Sequence, residues 1–290
     1  MKTQTHQAQL DKATSKKSTA KKIASSEAII FPPFGYKALH ALSRNDFVRM
    51  HSLGEVPTFA AANEMLPLTY SEFFVASSDY PIVFTQAPAS GEFMPAVLVG
   101  LERGLSLFAQ HDGKVWRWDA NSYLPAYVRR HPFCMSKVNG EASLNDELLV
   151  CVDKDYVGNK PALQFVRLFN EDAPTERWEL IEEFLQGYQT DIAATAAFTN
   201  ALRDFGLFQP ISASLTSVGA EEPLTVDGMF GVDEEKLNAL DDCVLVDLHR
   251  KGYLQRIYAH LKSLQNFQKL LHRLEEQKFT VASKQTVFNA

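Results

Sequence analysis

The spacing of apolar residues changes character near residue 170. Before that point apolar runs are short and alternate with polar positions, the period-2 pattern of strands. MPAVLVGL (94–101), LSLFAQ (105–110) and VWRWD (115–119) read as three successive strands, with turns at Arg103–Gly104 and Asp112–Gly113. This predicts an antiparallel meander closed by a tight hairpin. Trp116 and Trp118 fall on one face of the last strand and Arg117 on the other. Phe47–Val48, Ile82–Thr85, ELLVCVD (147–153) and ALQFVRLF (162–169) add further strands. A short helix is expected around Tyr70–Ala76, capped by Thr69 or Ser71, with Glu72 in its first turn and Pro81 beyond its end.

From Thr175 the period lengthens. Trp178, Ile181, Leu185, Tyr188 and Ile192 recur at spacings of three and four, and Phe198, Leu202 and Phe205 continue the same face. Gly187 marks a candidate break, and Gly206 and Pro210 a stop. Residues 211–231 read as β or loop, anchored by Val226, Met229 and Phe230. Asp233 is a good N-cap for the helix in EEKLNAL. A last long helix is expected from Val244 to Gln277, with a near-heptad seam of Leu254, Ile257, Leu261, Leu264 and Leu271. Strands in a block followed by helices in a block predict an α+β fold. No linker-like stretch divides 29–278, so one globular domain is expected there. A basic tail (1–28) precedes it and a frayed tail (279–290) follows.

Composition and charge sharpen this picture. With 46% hydrophobic and 22% charged residues the chain has the balance of an ordinary folded protein, and its twenty phenylalanines predict an aromatic core. The net charge of -6 is unevenly spread. Residues 1–30 hold six lysines against Asp11 and Glu27, a net charge of +4, which leaves -10 on the remaining residues. An acidic body weighs against a dedicated nucleic-acid-binding fold. Cys134, Cys151 and Cys243 sit in apolar surroundings without a CxxC pair, which predicts reduced core thiols and a cytoplasmic protein. No run approaches the roughly 18 apolar residues of a membrane span, and no apolar h-region precedes Ala28.

No GxxxxGK[ST], GxGxxG after a strand, HExxH or GxSxG is present, so no cofactor or metal is expected. The densest chemistry is YLPAYVRRHPF (123–133). There Arg129 and Arg130 offer planar donor forks beside Tyr123, Tyr127, His131 and Phe133. The binding expectation is an anion pocket that grips a small acidic ligand or an acidic partner segment. The structural expectation is a junction in which the arginines serve internal contacts. A second candidate stripe is His249, Tyr253, Arg256 and His260, spaced i, i+4, i+7 and i+11 along the last helix. Either it lines a cleft or its stems cover the apolar seam. The pairs Asp146/Glu147, Asp153/Asp155 and Asp241/Asp242 are weaker candidates for acid–base work.

Several of these segments together resemble one family. ANEMLPLTYSEFFVASSDYPIVF, PAVLVGLERGLSLFAQHDGKVWRW, YLPAYVRRHPF, VDEEKLNAL and LVDLHRKGYLQRIYAHLKSLQNFQKL occur in the order expected of the bacterial SapC family, over roughly residues 37–275. This family is distinct from saposin C and from the peptide-transporter permease that shares its label. The resemblance implies a protein linked by name to the bacterial surface layer and brings no catalytic set. It suggests an accessory or binding protein, with an enzyme acting on a small acidic metabolite or peptide, or a surface-layer subunit, as alternatives.

Overall fold

The computed structural model of the chain describes residues 32–137, 148–171, 173–217 and 222–288. The expected basic tail, residues 1–28, and Asp146/Glu147 lie outside the described residues. In chain order the strands are β1 (Leu39–Ala41), β2 (Phe47–Arg49), β3 (Glu55–Val56), β4 (Met65–Pro67), β5 (Ile82–Gln86), β6 (Phe93–Leu98), β7 (Ala109–His111), β8 (Trp116–Trp118), β9 (Phe133–Lys137), β10 (Leu148–Asp153), β11 (Val157–Gly158), β12 (Phe165–Arg167), β13 (Phe169–Asn170), β14 (Ala173–Pro174), β15 (Phe208–Leu215) and β16 (Leu224–Val232). The helices are α1 (Thr58–Ala61), α2 (Phe73–Ala76), α3 (Ala126–Arg129), α4 (Glu176–Asp204), α5 (Glu234–Asn238), α6 (Asp242–Arg250), α7 (Tyr253–Ser263) and α8 (Asn266–Phe288).

The fold is α+β, with antiparallel sheets before α4 and mostly helices after it. The principal sheet has the order β15-β16-β5-β6-β4. Its strand Ile82–Gln86 pairs with Phe93–Leu98, and Phe230 joins the late β15–β16 hairpin to Phe84. Smaller sheets, β1-β10-β9, β11-β2-β12 and β3-β8-β7, stand beside it. The principal core gathers around this sheet. A second core holds Val48, Phe133, Val152, Leu168, Trp178 and Leu185.

α4 joins the two cores. Thr175 caps it by accepting from the Trp178 amide. At 1.5 Å per residue its 29 residues span about 44 Å. Its seam places Trp178 and Leu185 in the second core and Tyr188, Phe198 and Leu202 in the first. Gly187 does not interrupt it, because an exposed glycine inside a long packed helix costs only about 1 kcal/mol.

The structure departs from several expectations. β6 does not continue into β7; it pairs with β4 and β5, while the hairpin β7–β8 turns at Asp112–Gly113 and adds β3 at its other edge. The expected strand at 105–110 is mostly loop, since Leu107 and Phe108 are held one on each side, the first bonding Val99 and the second Asp119. The last long helix is three helices. Gly252 adopts φ 73°, the left-handed conformation that ends α6, and Asn266 opens α8. The Asn266 amide is fully buried and donates to the carbonyls of Ser77 (2.8 Å) and Tyr80 (3.0 Å), fixing the second bend to the turn between α2 and β5. α8 then runs to Phe288, through the segment expected to fray. Finally, Cys134 and Cys151 are buried opposite each other on β9 and β10, but Cys243, expected in the core, is exposed in the first turn of α6.

Candidate functional site

Arg129 and Arg130 sit at the end of α3, a four-residue helix set between Pro125 and the cis peptide His131–Pro132. Adjacent helical residues point about 100° apart, so the two guanidiniums part company. Arg129 turns back on its own segment. Its Nε donates to the Leu124 carbonyl (3.1 Å) and its Nη2 to the Tyr123 hydroxyl (3.0 Å), with the guanidinium over the rings of Tyr123 and Phe184. Arg130 goes inward and is only 7% exposed. It lies over Tyr127 (4.2 Å), Tyr188 (4.8 Å) and Tyr36 (5.6 Å). The cage is held from outside: Tyr36 donates to the Phe133 carbonyl (2.7 Å) and Tyr127 to the Phe34 carbonyl (2.6 Å). Burial pushes the hydroxyls of Tyr36, Tyr127 and Tyr188 well above the ordinary phenol range, so the cage is neutral at physiological pH. Among the described residues no carboxylate pairs with Arg130, and its Nε has no partner.

Glu72 ties this corner together. Its carboxylate is buried and accepts four hydrogen bonds, from the Thr69 amide (2.8 Å), the Thr69 hydroxyl (2.7 Å), the Tyr123 hydroxyl (2.9 Å) and the Ala126 amide (2.7 Å). The first, with the Glu72 amide returning to the Thr69 side chain, forms the capping box of the turn at Tyr70–Glu72, and the second ties the same two side chains together. The other two carry the same carboxylate across to the start of α3. The short helix at Tyr70–Ala76 was legible from Thr69 and Glu72; the second role of Glu72 was not, because Ala126 is 54 residues away.

Two cavities flank the contact between α4 and this corner, and Thr69 and Tyr188 line both. The first, about 550 Å³, holds Arg129 together with Glu72, Glu183 and Asp191. Its balance of charge is acidic despite the arginine. The second, about 630 Å³, lies between α4 and strands β4 and β6 and is predominantly apolar. Tyr127 and Tyr188, whose rings also stack on Arg130, form part of its wall, and among the described residues Glu92 is the sole charged one lining it. Phe34, Met94 and Ile192 line it while remaining 49%, 53% and 38% exposed. Ile192 belongs to the α4 seam whose Trp178, Leu185, Tyr188, Phe198 and Leu202 are buried. Its exposure marks a place where the seam meets a hollow instead of packed side chains.

Of the remaining sequence candidates, His131, Tyr253, Arg256 and His260 are engaged internally. His131 is buried; its Nδ1 meets His51 Nε2 (2.8 Å) and its Nε2 lies 3.4 Å from Asp153. His51 stands 3.4 Å from Glu55, which also binds Arg49 at 2.5 Å. Burial, reinforced by His51, Arg130 and Arg49, pushes His131 down to about 3, and burial also lowers His51. Asp155 pairs with Lys37 on the surface. The stripe of His249, Tyr253, Arg256 and His260 does not form along one helix, because the bend at Gly252 puts His249 on α6 and the other three on α7. His249 is exposed. Tyr253 and Arg256 pack around Tyr70, the guanidinium 4.2 Å from its ring centre. His260 is fully buried: Nε2 accepts from the Val232 amide (3.0 Å) and Nδ1 bonds the Ile82 carbonyl (2.8 Å). It is a brace between α7, β16 and β5.

Sequence reasoning thus brought Tyr123, Tyr127, Arg129, Arg130 and His131 to one corner but did not find Tyr36, Glu72 and Tyr188, which complete it from distant segments. Among the described residues no helix is long and apolar enough to cross a membrane, and no group of three or more His, Cys, Asp or Glu is placed to hold a metal ion.

No curated protein and no solved structure matches the chain. The SapC family model matches residues 43–270, which takes in β2 through α7, both arginines, Glu72 and every α4 residue that lines the two cavities. The chain therefore belongs to the SapC family.

Proposed function

We propose that this SapC-family chain is a binding protein that holds an apolar ligand or partner segment between α4 and strands β4 and β6. The family link by name to the bacterial surface layer suggests an accessory role at the cell envelope, with the protein itself in the cytoplasm. The observation that carries the reading is the apolar cavity of about 630 Å³ with Phe34, Met94 and Ile192 exposed on its walls. A concave, largely preformed apolar site with a few polar groups is the usual form of a ligand site, and contiguous exposed apolar surface is costly unless something covers it. The enzyme alternative loses support from the geometry. His131, His260, Arg129 and Arg130 do not converge on one cavity, and each histidine is committed to internal partners.

One observation favours an acidic group on the ligand. Arg130 is a buried cation without a counter-ion among the described residues, and the tyrosine faces replace only part of its lost hydration. The guanidinium lies behind Tyr127 and Tyr188, so an acidic group would reach it only by displacing one of those rings. Titration with the neutral apolar dye N-phenyl-1-naphthylamine tests the main reading. Saturable 1:1 binding is expected, weakened more than tenfold in A196W, where an indole on α4 fills the cavity. Equal binding in the two chains, with both folded, overturns it.

A further inference from the structure

We propose that the apolar cavity is the docking site of the chain's own N-terminal segment, with Ile29, Ile30 and Phe31 as its occupants; this rests on the binding reading above. The described chain begins at Pro32, two residues before Phe34, which lines that cavity. Residues 33–36 form a turn in which the Tyr36 amide donates to the Pro33 carbonyl (3.0 Å). Gly35 has φ +84°, and a Cβ there would run into the Phe59 ring, so the turn is specific to glycine. The Phe34 carbonyl accepts from Tyr127, and the Phe34 ring lines the cavity beside Tyr127. Phe34, three residues after Phe31, is thereby held at the cavity wall.

Reach and chemistry agree. Three extended residues span about 10 Å, and a cavity of this volume is on the order of 9 Å across. Residues 28–31 read Ala-Ile-Ile-Phe, the most apolar stretch of the first 31 residues. Upstream of it the segment carries six lysines and a net charge of +4. The surface it would cross is acidic. Glu92 lines the apolar cavity, Glu183 and Asp191 line its neighbour, and Glu176 and Glu179 occupy the first turn of α4. A basic segment with an apolar end complements this surface. Tethering raises the local concentration of the segment to about millimolar, so a foreign ligand must displace it. The cavity then serves as a self-occupied site that an external apolar partner opens.

The test is titration of the full chain and of full-length I29D/I30D/F31D with N-phenyl-1-naphthylamine. The substituted chain should bind the dye about tenfold more tightly, and rising salt should narrow the difference. Equal affinities overturn the inference while leaving the binding reading intact; saturation in neither chain refutes both. Oxidative trapping of I30C/E92C in a C243S background separates the remaining alternative. A cross-linked monomer at all protein concentrations supports the proposal. A cross-linked dimer overturns it in favour of a second copy seated in the cavity.

Discussion

Replacing Glu72 by glutamine keeps the volume of the side chain and removes one acceptor oxygen. Oε1 of the carboxylate receives the Tyr123 hydroxyl and the Ala126 amide, and Oε2 receives the Thr69 amide and hydroxyl. A glutamine offers one oxygen and an NH2 in their place. Either hydroxyl can turn and accept from that NH2, but a backbone amide cannot. One of the two buried N–H groups, Thr69 or Ala126, is left without an acceptor. An orphaned buried donor costs about 1–3 kcal/mol, and the surviving bonds lose their charge assistance. The expected loss is about 2–4 kcal/mol. At roughly 2–4 °C per kcal/mol for a chain of this size, the melting temperature should fall by about 5–10 °C. Urea unfolding followed by circular dichroism measures it, with Y123F, expected to lose about 1 kcal/mol, as the companion. The E72Q/Y123F double variant should lose less than the sum, because both changes act on one network. A loss below about 0.5 kcal/mol in E72Q would refute the role of Glu72 in joining the Tyr70 turn to α3.

Three further outcomes follow from the same contacts. His260 and His131 stay neutral in the folded chain, held at about 4 and about 3 chiefly by burial, while the unfolded chain takes up these protons near the ordinary 6.5. Their contribution is therefore complete above pH 6.5 and is lost as pH falls, by roughly 1.4 kcal/mol per pH unit for each, so urea stability at pH 5 should lie about 4 kcal/mol below that at pH 7; a flat profile contradicts this. R130M should unfold within about 1 kcal/mol of the parent or later, since it removes an uncompensated buried charge and keeps the stem, whereas R130A should lose about 2–4 kcal/mol to an unfilled cage; a large loss in R130M would show that the charge itself stabilises. G252A should cost about 1–2 kcal/mol in the same assay, because φ 73° strains any L side chain and the new methyl meets the Tyr70 hydroxyl; no loss would mean that the bend between α6 and α7 does not need glycine.

What the sequence disclosed divides along a physical line. Features set by neighbours in the chain were legible. The α4 seam from Trp178 to Phe205 is a repeat of local spacing, and the caps at Thr69 and Asp233 each bond within three residues. The hairpin at Asp112–Gly113 closes on itself, and Asp112 accepts from the Lys114 and Val115 amides. Features set by distant partners were not. Nothing near Ala109 or Trp116 reveals that Glu55 and Val56 complete their sheet. Nothing in the seam from Leu254 to Leu271 reveals that Asn266 finds its acceptors at Ser77 and Tyr80. The arginine block was conspicuous by composition, but its meaning depended on Tyr36 and Tyr188, which arrive from segments well before and well after it in the chain. Ile192 was legible as a seam position, and its exposure at the cavity was not, because a hollow depends on the surface facing the helix.

The most direct test of the central claim is an isotope-edited NMR experiment on the methyl-labelled full chain with bound N-phenyl-1-naphthylamine. The account predicts nuclear Overhauser contacts from the dye to the Met94 and Ile192 methyls on facing walls of the cavity, lost together in A196W. Contacts confined to other exposed apolar residues, such as Val75 or Val246, or a saturating dye that touches neither Met94 nor Ile192, would contradict it.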